Sequence, residues 1–133
     1  MGVSYKAIAL ILFNVVLASA GQIVLKVGTS KLGTLLKPGQ PIIDIVKGAI
    51  KAMFTSPYIL GGMAIYAFSA IFWIIILSRV RLSFAYPMIS LSYVLVVVLS
   101  AVLLHEKVPL VTVAGLLLIC GGVSLIGFGA SAH

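Results

Sequence analysis

Four apolar runs alternate with short polar or basic segments along this chain, at about residues 7–27, 58–78, 83–104 and 110–129. Each is about 20 residues long, the length at which a helix rising ~1.5 Å per residue crosses ~30 Å of hydrocarbon. The pattern predicts a single all-α domain over residues 1–133, with four transmembrane helices. The connections after the second and third runs are very short, His105-Glu106-Lys107-Val108-Pro109 being the latter. Those helices are therefore expected to be antiparallel neighbours.

The longest connection, residues 28–57, carries a pattern of its own. Ile42, Ile45, Val46, Ala49 and Met53 recur with a helical period, and Gln40, Asp44, Lys47 and Lys51 occupy the opposite face. Pro41 suits a first helical turn and Pro57 a position just past the end, so an amphipathic helix is expected at about 41–54. It would lie in the membrane interface with Lys47 and Lys51 toward phosphate headgroups. The alternative is a solvated helix packed on its own protein.

Composition agrees with a lipid environment, at 62% hydrophobic and 8% charged residues. The net charge of +7 arises from nine Lys and Arg set against Asp44 and Glu106. Because the cations fall between apolar runs, anionic lipid headgroups of the membrane or an anionic substrate are the expected partners, and nucleic acid is not. If the spans alternate, Lys31, Lys37, Lys47, Lys51 and Lys107 share one side and Lys6, Arg79 and Arg81 the other. That excess favours a cytoplasmic long connection. The lone Cys120 allows no internal disulfide. Two carboxylates and two histidines, without metal-ligand spacing, offer no catalytic or metal set; the chain reads as a non-enzyme without a cofactor.

The first run admits a competing reading, since Lys6, the apolar stretch and Ala18-Ser19-Ala20 before Gly21 are signal-like. Against it, Asn14 interrupts the apolar core, and cleavage would strand Gln22 and Lys26 at a new terminus. Taken as a span, the run carries Asn14, Ala18, Gln22 and Lys26 at intervals of four, one slowly drifting stripe. A lysine at mid-membrane costs about 2.5–3.5 kcal/mol on an insertion scale, whereas near a helix end its stem snorkels. Lys26 is therefore either an interfacial anchor or a cation closing a polar groove, placed to meet a phosphate.

In the third run Tyr86, Ser90 and Tyr93 share a face, and Pro87 removes the amide that would bond to the Ser83 carbonyl. That face either lines a pathway with hydroxyls or supplies interfacial aromatics and interhelical contacts. In the fourth run Gly115 and Gly122 lie seven apart on one face, the spacing of a close helix–helix contact, between copies or within the chain. Gly61-Gly62 and Gly121-Gly122 inside spans have the same use.

Four short spans, the segment Ala85-Tyr86-Pro87-Met88-Ile89-Ser90 and the Gly115-to-Val123 stretch resemble the drug/metabolite transporter superfamily (EamA-like), at the size of small multidrug resistance proteins. That resemblance implies a dimer packed through the fourth helix, with Gly115 and Gly122 as contact residues and Tyr86 and Ser90 in the pathway. The drug exporters carry a membrane-embedded glutamate in the first helix; aligned on Gly21 and Lys26, this chain has Ala18 there. A cationic substrate would have no counter-charge within the spans.

Ser19-Ala20-Gly21-Gln22 with Lys26, Ala85 through Leu91, His105-Glu106 and the final Gly-Gly pair are most similar to aminoarabinose-phosphoundecaprenol flippase subunits. The resemblance implies a multi-pass bacterial inner-membrane protein, a homodimer or a heterodimer with a related subunit. It would translocate a polyprenyl-phosphate-linked sugar for lipid A modification. The expected binding set is Lys26 and Gln22 at the phosphate, with Lys47 or Lys51 assisting, and Asn14, Tyr86, Ser90 and Tyr93 at the headgroup. Glu106 would pair with Lys107, cap the fourth helix or gate the mouth. A small-molecule or multidrug exporter of the same fold and a non-transporting subunit of a membrane glycosyltransferase are the alternatives.

Overall fold

The structure is a computed structural model and describes residues 4–31, 37 and 39–131. Six helices follow one another: α1 (Tyr5–Lys31), α2 (Ile42–Thr55), α3 (Pro57–Leu77), α4 (Leu82–Ile89), α5 (Leu91–Leu103) and α6 (Leu110–Ser131). Four stretches are long and apolar enough to cross a membrane: α1, α3, α4 with α5, and α6. Their outward surfaces stay apolar, with residues such as Ile74, Leu118 and Phe128 mostly exposed. In lipid those surfaces need no further burial.

The first and second spans form the most extensive helix pair, and two glycines explain why. A Cβ on Gly62 would sit 2.9 Å from the Leu25 amide nitrogen and 3.0 Å from the Gly21 carbonyl oxygen, so only hydrogen fits. Gly21 meets Gly62 reciprocally, at 3.2 Å from its carbonyl oxygen. Without a net hydrophobic gain in lipid, such close backbone approach supplies the dispersion contacts that hold spans together. Gly61, the neighbouring glycine of the pair, has nothing near its Cβ position.

At the opposite end of the bundle, Ile11, Val15, Ile76, Val80, Phe84, Ala85, Met88 and Val123 form one buried cluster. It ties α1 to the short turn between α3 and α4 and to the second half of α6. The third apolar run is not one helix: it breaks at Ser90. Pro87 has no N–H to offer, and the Ser90 amide donates to the Pro87 carbonyl at 3.0 Å instead of continuing the α ladder. The Ser90 hydroxyl donates to that same carbonyl, and the chain resumes as α5 at Leu91.

The amphipathic helix is α2, and it docks on α3 by a narrow flank. Ala52 is buried and Ile45, Gly48 and Met53 half-buried. Ile42, Ile43, Val46, Ile50 and Phe54 form an exposed apolar arc, while Asp44, Lys47 and Lys51 occupy the arc facing the other way. One flank on protein, one arc apolar and one charged is the arrangement a helix needs at a membrane–water boundary. Pro41 sits at the cap just before the helix, its carbonyl accepting from Asp44 at 3.1 Å. Pro57 opens α3, where Ser56 caps the helix by accepting from the Ile59 amide.

Candidate functional site

A cleft of about 300 Å³ opens between α1, α3 and the α4–α5 break. Its first wall is the α1 stripe: Asn14, Ala18 and Gln22 all line it. Tyr66, Ser69 and Trp73 of α3 supply the second wall, spaced three and four apart and hence on one face. The third wall comes from Tyr86 and Ile89 of α4 and Ser92 of α5. The Trp73 and Tyr86 rings meet edge to face at 5.7 Å, so the aromatic side of the cleft is a packed pair.

Asn14 is the most informative residue in it. Its side chain is 95% buried, its carbonyl oxygen Oδ1 has no hydrogen-bond partner, and it faces the cleft. Leaving such an acceptor unpaired costs about 1–3 kcal/mol. Two buried hydroxyls of this region satisfy themselves locally: Ser19 donates to the Val15 carbonyl and Ser69 to the Tyr66 carbonyl, each at 2.7 Å. Asn14 thus brings an unsatisfied amide to the wall of the cleft.

One turn beyond Gln22, Lys26 stands outside the cleft lining, near the end of α1. From Asn14 to Lys26 the helix rises about 18 Å, which spans mid-membrane to interface. Lys26 Nζ lies 3.8 Å from Glu106 Oε1, and both side chains are about half exposed. Glu106 therefore meets the first helix and not Lys107. The turn after α5 brings this about: His105 adopts a left-handed backbone conformation (φ 54°), and the Glu106 amide donates to the Ser100 carbonyl at 3.2 Å. Lys31 lies farther along the same end, its ammonium 3.9 Å from the centroid of the Tyr58 ring.

The structure thus brings together Asn14, Gln22 and Tyr86, and pairs Lys26 with Glu106 outside the cleft lining. Ser90 and Tyr93 lie outside the lining: Ser90 bonds its own helix at the break, and Tyr93 is 61% exposed on the next turn. Ser92 contributes the hydroxyl in their place. Lys47 and Lys51 remain exposed on α2. Tyr66, Ser69 and Trp73 escape sequence reasoning because α3 is apolar all round; their shared face was the available signal. Gly115 and Gly122 have open space at their Cβ positions, and with Val111, Leu118, Leu125 and Gly129 they form a stripe spaced four and three apart. Val111, Leu118 and Leu125 in that stripe are largely exposed. No group of three or more His, Cys, Asp or Glu capable of holding a metal occurs among the described residues.

A bundle of four membrane-length helices around a cleft with a few polar groups in its walls defines a multi-pass membrane protein. Comparison with known proteins makes this specific. The chain is 33% identical over 119 residues to the probable 4-amino-4-deoxy-L-arabinose-phosphoundecaprenol flippase subunit ArnF of Sodalis glossinidius, covering 86% of this chain and 85% of that one. It is 32% identical over 131 residues to the corresponding ArnF of Shewanella sediminis, covering 92% and 88%. A shorter match, 44% identical over 55 residues, joins 41% of the chain to 48% of an ArnE subunit from Pseudomonas paraeruginosa. No protein-family model matches the chain, and no solved structure does. The chain belongs to the ArnE/ArnF family of flippase subunits, a bacterial family of transport proteins.

Proposed function

We propose that this protein is one subunit of an inner-membrane flippase that translocates a polyprenyl-phosphate-linked sugar, undecaprenyl-phosphate aminoarabinose being the cargo named in its relatives. The observation that carries the proposal is the continuity of the α1 stripe. Asn14 and Gln22 line the cleft, and Lys26 stands a turn farther along α1, its ammonium beside Glu106. A lipid phosphate pairs with Lys26, assisted by Gln22. The sugar lies against Asn14 and Tyr86, and the polyprenyl tail stays in lipid along the apolar flanks. Lys47 and Lys51 hold anionic headgroups at the surface of α2, beside its exposed apolar arc.

No bond is made or broken; the protein's work is to carry a charged headgroup past a barrier where a bare ion costs several kcal/mol. Translocation of a headgroup larger than the cleft needs a partner wall. The stripe of Val111, Gly115, Leu118, Gly122, Leu125 and Gly129 is the surface for it, taking a related subunit or a second copy. Glu106, paired with Lys26 in the resting protein, serves as the gate that the phosphate displaces.

Competition binding tests this reading. Protein in nanodiscs is offered a polyprenyl-phosphate-linked sugar and a lipophilic cation, and bound species are read by native mass spectrometry. Preference for the anionic lipid, weakened by Lys26→Ala, is expected. Preference for the cation would return the chain to the drug-exporter class.

A further inference from the structure

The cleft walls say which part of a ligand they read. Trp73, Tyr66 and Tyr86 offer aromatic surface, and Asn14, Gln22 and Ser92 offer neutral hydrogen-bonding groups. The chain's two carboxylates, Asp44 and Glu106, lie on α2 and in the turn between α5 and α6, and neither lines the cleft. The nearest formal charge along α1 is the cation Lys26, one turn beyond Gln22. An ammonium entering here would meet no carboxylate in the lining, and the nearby cation Lys26 is paired with Glu106, so the walls carry no net charge that would select for or against it. A pyranose ring suits the same walls: its apolar face covers an aromatic ring while its hydroxyls donate to amide and hydroxyl oxygens. The Asn14 amide, nearly buried in the cleft wall with its oxygen unpartnered, is the polar group left for such a ring to satisfy.

We infer that this cleft is a sugar subsite that reads the ring as a neutral polyol, so that an amine on the sugar contributes no selectivity. This rests on the proposed flippase reading, deepening it from the phosphate to the sugar. It predicts tolerance: a sugar with a hydroxyl in place of the amine is bound as well as the amino sugar.

Trp73 is the only tryptophan in the chain, so its emission reports on this cleft alone. The full-length protein in nanodiscs is titrated with three short-chain polyprenyl phosphates: one bare, one bearing arabinose and one bearing 4-amino-4-deoxyarabinose. Both sugar lipids should shift Trp73 emission and bind within about threefold of each other, while the bare lipid binds without the shift. Asn14→Ala should weaken both sugar lipids about tenfold and leave the bare lipid unchanged. Asn14→Asp should turn the preference toward the amino sugar by about tenfold or more.

A wild-type preference for the amino sugar above about tenfold would overturn the inference, making the aromatic wall an ammonium site through cation–π attraction. Equal Trp73 shifts from the bare and sugar-bearing lipids would also overturn it, while leaving a Lys26-dependent phosphate site standing. If none of the three lipids binds, the flippase reading itself fails and the subsite with it. The wild-type comparison needs no variant to fold.

Discussion

Removing Glu106 should tighten the hold on an anionic lipid, because in the resting protein Lys26 is already engaged. The ammonium and carboxylate are 3.8 Å apart, with 55% and 46% of the two side chains exposed. Coulomb attraction at that distance is about 1 kcal/mol in bulk water and about 4 kcal/mol at an effective dielectric of ~20. The exposure places this pair near the aqueous limit, where such pairs retain ~0.2–1 kcal/mol. A phosphate binding Lys26 must first give up that much. Glu106→Gln keeps the shape of the side chain and abolishes its charge, so affinity for a polyprenyl phosphate should rise by between about 1.4-fold and fivefold. Titration of nanodisc-embedded protein at low and moderate salt measures it, with Lys26→Ala and the double variant completing a thermodynamic cycle. The gain should vanish on the Lys26→Ala background. Unchanged or weaker binding in Glu106→Gln would refute the latch, and a gain that survives without Lys26 would show only a change in the general field.

Three further outcomes follow from packing. Gly62→Ala should destabilise the α1–α3 pair by about 1–3 kcal/mol, since its Cβ would meet the Leu25 backbone, while Gly61→Ala should be neutral; thermal unfolding in detergent compares the two. Gly122→Leu should leave the monomer's melting temperature unchanged, nothing lying within 4 Å of its Cβ position, yet abolish assembly measured by crosslinking or mass photometry. His105→Gly should stabilise the turn by about 1 kcal/mol, since His105 holds a left-handed backbone that glycine adopts freely, with the Lys26–Glu106 contact retained.

The parts of this molecule that were legible in sequence are those set by local periodicity. Run lengths announced the membrane-length helices, and the period of Ile42, Ile45, Val46, Ala49 and Met53 announced α2 with its charged arc. The four-residue recurrence of Asn14, Ala18 and Gln22 announced one wall of the cleft. The opposite wall was hidden because α3 has no polar face to contrast with an apolar one, so Tyr66, Ser69 and Trp73 do not stand out. Pro87 signals a loosened turn in sequence but not where the helix resumes, and the break at Ser90 puts Ser92 rather than Ser90 in the cleft wall. The Lys26–Glu106 pairing joins residues far apart in the chain, and depends on the left-handed turn at His105, which no local pattern foretells.

The most direct test of the central claim is a flipping assay. The protein is reconstituted with its related subunit into liposomes carrying a fluorescent short-chain polyprenyl-phosphate-linked aminoarabinose, and loss of signal to a membrane-impermeant quencher is followed. Rapid exchange is expected with the wild type, partial exchange with Lys26→Arg, and none with Lys26→Ala or Lys26→Glu that remain folded. Full exchange with Lys26→Ala would contradict the account and leave Lys26 as an interfacial anchor.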